Sequence, residues 1–374
     1  MESSGMRQSN FELLRILAIL FIILHHIAVH GDWGNGGMFF PEELTFNAVM
    51  LQGMFGLGKI GVNVFVLISG YFLFESTKST WPKAVKLWVE MLFYSIVITL
   101  LFAAFDDYEL TPRRFFIMFT PFISYTWWFA STYLLMLLLS PFVNRALVSC
   151  DEKTHLKLII GLVVIWSVIP TITNMVVLLN NLLWFLTIYV IGAYIRRYPG
   201  HFGGNAGKYG LIAAGIFVLM VVLMVIVDVT HFESELWDVH NYVDLIHWQN
   251  SIFVLLASVF LFLAFRNMRD FRSSLVNIIA SSVFGIYLIH DMPLMRGYIY
   301  DRLFDCHGFT DSPLLFLYVI GMMLAIFAAC AIIELIRQAV MDRLLLKGLP
   351  DAVLSAEERY DNWIGNLVGK GKDE

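Results

Sequence analysis

The sequence predicts an all-α fold: a polytopic membrane helix bundle with about ten transmembrane helices and both termini cytoplasmic. Three observations predict it. Hydrophobic residues make up 59% of the 374 positions and charged residues only 15%, too few charges to clothe a water-facing surface of this size. The apolar residues fall into stretches of about 20, the length a helix needs to cross a hydrocarbon layer ~30 Å thick. The basic residues between those stretches recur on one side. The formal net charge of −5 arises mainly in loops and the tail, with no concentrated basic face of the kind that binds nucleic acid.

The stretches, in order, are 12–30, 59–75, 86–105, 127–145, 156–174, 180–195, 208–228, 250–266, 275–291 and 314–336. The first lacks a small-residue cleavage site and carries polar residues, so it is expected to be retained rather than removed as a signal peptide. The amphipathic piece 113–124 is expected to lie against the membrane before the fourth span. The fifth and sixth spans are close enough to form a tight hairpin near Asn180 and Asn181.

Orientation follows from the short loops. With the N-terminus inside, the inner loops hold Lys78, Lys83 and Lys86; Arg145, Lys153 and Lys157; Arg196, Arg197 and Lys208; and Arg266, Arg269 and Arg272. The last span exits into Arg337, Arg343 and Lys347. The outer loops hold Asp106, Asp107, Glu109, Glu233, Glu235, Asp238 and Asp244, with few cations, so the positive-inside bias repeats at each crossing. No repeat suggests an inverted-topology transporter. Residues 1–350 read as one integral membrane domain and 351–374 as a polar cytoplasmic tail. Cys150, Cys306 and Cys330 are scattered, so neither a disulfide nor a metal site is expected.

Titratable groups at membrane depth are costly unless they face a cavity or a partner, which makes them the first candidates for function. Arg15 and His26 are eleven residues apart in the first span. At ~100° per residue both project from one helix face, ~16 Å apart along the axis. That sets a cation near the cytoplasmic boundary and an imidazole deep in the bilayer. His25 points ~100° away and reads as a packing histidine. Two readings of the pair stand. Arg15 snorkels and His26 bonds a carbonyl, or His26 is a general base near neutral pH. In the second span, Asn63, Ser69, Gly61 and Gly70 suit close helix approach and interhelical hydrogen bonds, and Ser69 lacks the elbow of a serine nucleophile. Lys83 and Lys86 are neighbours at i, i+3. They fit a positive-inside anchor, or the phosphates of a cytosolic donor at a cavity mouth.

These pieces, in this order, resemble the acyltransferase-3 family of integral membrane acyltransferases, which modify cell-surface glycans in bacteria. Arg15 and His26 match its arginine-ten-residues-histidine motif. Gly61-Val62-Asn63-Val64-Phe65 with Ser69-Gly70-Tyr71-Phe72 resembles its second-helix signature. Trp127-Trp128-Phe129 with Tyr133-Leu134 and Ser140-Pro141 is similar to its fourth-helix pattern, and Trp184-Phe185 with Tyr189 to Arg196 to its sixth. Phe284-Gly285-Ile286-Tyr287-Leu288-Ile289-His290 and Glu334 with Arg337 are similar to its last two helices. One departure stands out: the family's arginine-x-x-arginine pair is replaced by Lys83 and Lys86, which keep the charge and lose the bidentate fork. The extracytoplasmic hydrolase-like domain of some members is not in this sequence, so the membrane domain is expected to act alone or to hand its acyl group to a separate protein.

The resemblance implies a bacterial cytoplasmic-membrane enzyme that takes acetyl-CoA, or another acyl-CoA, from the cytoplasm. Arg15, Lys83 and Lys86 would hold the CoA phosphates. His26 would act as general base or as a transient acyl carrier. The acceptor would be a hydroxyl of a cell-surface glycan or lipid-linked saccharide. Asn63, Ser69, Trp128, Tyr133, His290 and Glu334 are candidate substrate contacts, and a homo-oligomer is one option for the assembly. Structural alternatives stand beside several of these. Glu334 also suits an ion pair with Arg337, His290-Asp291 an outer interfacial hydrogen bond, and Trp127 and Trp128 interfacial anchors. The loop Thr230–Gln249 reads as a solvated lid. The rival class is a transporter or flippase of a lipid-linked glycan. It would show broken helices in both halves and midplane carboxylates, and the prominent break is confined to Pro170.

Overall fold

The structure is a computed structural model that describes residues 8–34, 44–74, 80–173, 180–230, 246 and 248–344. The tail 351–374 and most of the loop Thr230–Gln249 lie outside the described residues. Among them, helix is the regular structure and no strand occurs. In chain order the elements are α1 Ser9–His30, α2 Phe46–Leu73, α3 Trp81–Phe105, α4 Pro112–Phe119, α5 Trp128–Ser149 and α6 Glu152–Thr173. They continue with α7 Asn181–Arg197, α8 Ala206–Thr230, α9 Ile252–Arg266, α10 Ser274–His290, α11 Pro293–Leu303 and α12 Leu315–Leu344.

Helix occupies all ten predicted stretches, but seven helices are long and apolar enough to cross a membrane. The pair α10 and α11, bent by 78°, makes an eighth if taken as one span. The expectation of about ten is therefore not confirmed among the described residues. The reason is length. At 1.5 Å per residue, the 17 residues of α7 and the 15 of α9 reach only ~25 Å and ~22 Å.

α2 is the hub. It begins at Phe46 rather than near residue 59, because the glycine-rich turns Leu51–Gly58 are weakly apolar yet buried against protein. Most of its apolar length, 83%, is covered by other helices, against 11% for α6. Two glycines set its neighbours. A Cβ at Gly61 would stand 2.6 Å from the carbonyl oxygen of Ala18 on α1, and one at Gly70 would stand 2.3 Å from that of Tyr189 on α7. Small residues here let backbones touch, the usual source of helix association where lipid supplies no hydrophobic drive.

Two prolines sit inside spans, and each freed carbonyl finds a donor. Pro141 cannot bond the carbonyl of Leu137, which accepts from the Ser140 hydroxyl at 2.8 Å. Pro170 cannot bond that of Trp166, which accepts from the Asn250 amide at 3.0 Å. The preceding Val164–Val168 widens into a π-turn, a common local answer to a lost helical bond. The outward faces of α8 and α12 expose Leu211, Val218, Leu317 and Ile332, apolar surface that needs lipid beside it. α4 buries only Met118 and leaves Phe115 and Phe116 exposed, consistent with a helix lying at the interface.

Candidate active site

Five elements converge on one cavity of about 280 Å³, lined among others by Arg15, His25 and His26 from α1, Lys59 and Ser69 from α2, Leu87 from α3, Trp128 and Tyr133 from α5, and Tyr287 from α10. The helical period brings Arg15 and His26 onto its wall together, as their eleven-residue spacing requires. His26 stands only four residues from the end of α1, ~6 Å along the axis. The imidazole is thus toward one end of the span rather than at its centre. Arg15 is half-exposed and paired with Glu12 at 2.7 Å. Near it, Tyr133 and Ser69 share a hydroxyl hydrogen bond of 2.7 Å on the cavity wall.

At the other end the contacts of His26 are specific. Its Nδ1 lies 2.9 Å from Nε2 of His290, and its Nε2 lies 3.3 Å from Oδ1 of Asp291. His290 is fully buried and its own Nδ1 lies 2.6 Å from the carbonyl oxygen of Ile286. Asp291, also fully buried, takes Nε and Nη2 of Arg296 at 2.9 and 2.7 Å on the same Oδ1. His30, one turn beyond His26, completes a group in which ligand-type atoms of His26, His30 and Asp291 lie within 4.8 Å of one another. A cation there would sit beside the Arg296 guanidinium, so the cluster suits acid–base chemistry better than a metal.

His25 has its Nδ1 2.9 Å from the carbonyl oxygen of Phe55. Its Cβ would lie 2.2 Å from a Cβ at Gly58, so glycine is needed there. The ring nonetheless shares the cavity wall. Lys59 was missed in the sequence reading. Its ammonium lies 5.1 Å from the Phe55 ring centre and 5.7 Å from those of Trp128 and Trp248, cation–π distances on the cavity wall. The signal was present: Lys59 is the one charge in the 28 residues of α2, and a lone intramembrane charge marks a site by default.

Other candidates lie elsewhere. Asn63 is buried away from the cavity, donating to the Gln249 carbonyl at 2.7 Å and accepting from Trp184 at 3.1 Å. Lys83 and Lys86 are exposed at the start of α3 and do not line the cavity, although Leu87 does. Trp127 is fully buried, donating to the Leu288 carbonyl at 3.1 Å, so it is no interfacial anchor, and Trp128 is on the cavity wall. Glu334 is fully buried and bonds Arg337 at 2.6 Å, Gln338 at 2.7 Å and the Tyr94 hydroxyl. The same Arg337 reaches Glu90 at 2.9 Å. These two buried carboxyl groups lie toward the end of the bundle opposite His26 and share one arginine.

No curated protein and no solved structure matches this chain. A family model described as an acyltransferase domain matches residues 8–334. That match runs from the first turn of α1 to the buried Glu334 and takes in every residue of the cavity, so the chain belongs to the acyltransferase-3 family, as a multi-pass membrane acyltransferase.

Proposed function

We propose that this protein moves an acyl group, acetyl in the simplest case, from cytoplasmic acyl-CoA to a hydroxyl of a cell-surface or lipid-linked glycan, in the cytoplasmic membrane of a bacterium. The carrying observation is the cavity that joins Arg15 to His26. The two residues are ~16 Å apart along α1. A pantetheine arm counts roughly thirteen bonds from phosphate to sulfur, each advancing ~1.25 Å when extended, and so also spans ~16 Å. With the phosphates at Arg15, the thioester carbon arrives at His26. Lys83 and Lys86 stand within one turn of the cavity-lining Leu87, where their charge assists the nucleotide end.

At the far end His26 takes the proton of the acceptor hydroxyl or is itself acylated first. The caged Lys59 ammonium is placed to balance the oxyanion that either route develops. The loop charges put Arg15 inside and His26 toward the outside, so donor and acceptor meet without either crossing the membrane. The family match supports acyl transfer over transport of a lipid-linked glycan.

The test is thiol release from acetyl-CoA by the purified protein in detergent. Wild type is expected to release free CoA slowly with water as acceptor. His26→Ala is expected to lose at least about 100-fold in rate while still binding acetyl-CoA, and Arg15→Ala to weaken binding. A wild-type protein that neither binds nor cleaves acetyl-, propionyl- or butyryl-CoA would sink the proposal.

A further inference from the structure

The hydrogen bonds around His26 determine which of its nitrogens is the base. A carbonyl oxygen can only accept, so Nδ1 of His290, 2.6 Å from the Ile286 carbonyl, carries a hydrogen. In a neutral ring, Nε2 of His290 is then a bare acceptor. Facing it at 2.9 Å, Nδ1 of His26 must be the donor. That leaves Nε2 of His26 with a lone pair, 3.3 Å from Oδ1 of Asp291. One backbone carbonyl therefore fixes two tautomers in series.

The surroundings of that lone pair are built for a proton that neither group supplies. Arg296 spends both its contacts on Oδ1 of Asp291. The other carboxylate oxygen, Oδ2, is buried, and the Asp291 carboxylate interacts with the hydroxyl of Tyr287 one turn earlier on α10. His30 closes the third side. Atoms mutually within 4.8 Å leave a central point at hydrogen-bond distance from each, the size of one oxygen.

We propose that this point, between Nε2 of His26, the Asp291 carboxylate and His30, is the seat of the acceptor's attacking hydroxyl, and that His290 and Asp291 are positioning residues that make Nε2 the base. The inference rests on the acyl-transfer reading and deepens it. The acceptor O–H proton passes to Nε2 as its oxygen bonds to the thioester carbonyl carbon. The tetrahedral adduct then breaks its C–S bond, and Nε2–H returns the proton to the departing sulfur. An ester and a free thiol result, with His26 as it began. Asp291, held by Arg296, balances the imidazolium that exists between the two transfers, and His290 keeps the ring from presenting the wrong nitrogen.

The test uses the full chain in nanodiscs, with acetyl-CoA as donor and water as the acceptor probe. Asp291→Asn and His290→Leu are each expected to lower the maximal rate of thiol release at least tenfold with acetyl-CoA affinity changed less than twofold. His290→Gln, whose amide can both donate to the Ile286 carbonyl and accept from Nδ1–H, is expected to stay within threefold of wild type. The tautomer is read directly by NMR of ¹⁵N-histidine protein, with the His26 signal identified by its loss in His26→Gln. Wild type is expected to show Nδ1–H and a bare Nε2, and His290→Leu to populate Nε2–H. A wild-type His26 protonated at Nε2, or a His290→Leu enzyme at full rate with its tautomer unchanged, would overturn the inference. If wild type releases no thiol at all, the failure belongs to the acyl-transfer reading, and the NMR result alone decides the tautomer.

Discussion

Lys59 is the residue whose contribution is easiest to isolate. Its ammonium lies within cation–π range of three rings on the wall that also carries His26. If it faces the developing oxyanion, Lys59→Met is expected to cut the maximal rate by about 10²–10³. Acetyl-CoA affinity should hold, because the phosphates bind at the opposite end. Isothermal titration beside the thiol assay separates the two quantities, and an affinity loss with an unchanged rate would move Lys59 to donor binding. Its absence from the sequence reading has a physical cause. The apolar run that marks a span begins at residue 59, so the lysine fell on a boundary. The helix actually starts at Phe46, through glycine-rich turns that protein covers instead of lipid. Arg15 and His26 were legible because one helix carries both and its period is known. The His26–His290 contact spans 264 residues, and no local pattern announces it.

Among the elements, α3 and α12 are joined by a buried ion cluster. Arg337 serves Glu334 and Glu90 together, and Gly285 on α10 leaves room for the Glu334 carboxylate, which a Cβ there would meet at 2.3 Å. Removing the arginine strands two carboxyl groups in low dielectric. Arg337→Met is expected to destabilise the fold by about 3–5 kcal/mol, read as a lower melting temperature in detergent. The triple variant with Glu90→Gln and Glu334→Gln should recover most of it, since uncharged amides need no counter-ion. A triple variant no better than the single one would show that the cluster is not an electrostatic unit. The pair Glu334 and Arg337 was legible from its i, i+3 spacing. Glu90 was not, because a glutamate near a span end reads as a headgroup neighbour until its partner on a distant helix is known.

For the whole molecule, the membrane orientation argued from loop charges can be read with native cysteines. Cys150 stands half-buried at the turn between α5 and α6, and Cys306 lies in the connection between α11 and α12. Burial penalises the Cys306 thiolate most, with Asp305 and Asp32 adding to it, and pushes the thiol up to about 12. Because the shift is upward, the reactive thiolate is about one part in 10⁴ at pH 8. Cys330 is buried inside α12. A membrane-impermeant maleimide at pH 8 is therefore expected to label Cys150 alone. With the N-terminus inside, it should do so only after the membrane is permeabilised. Labelling in sealed cells would invert the orientation and, with it, the side from which the donor arrives. The helical class and the positions of the stretches were legible from hydropathy. The number of full spans was not, because α7 and α9 are apolar but short, and hydropathy measures composition more securely than reach.

The shared arginine also constrains how the chain is made. Glu90 and Arg337 are 247 residues apart, and synthesis at about 5–20 residues per second separates their appearance by roughly 12–50 s. Throughout that interval α3 carries a carboxyl group into the membrane with its counter-ion not yet translated. The nascent protein must keep that group protonated, or hold α3 in a hydrated setting at the insertion machinery, until α12 emerges. The last helix is thus the step that completes the bilayer-embedded state, and ribosomes stalled before it would leave an insertion intermediate open to membrane proteolysis.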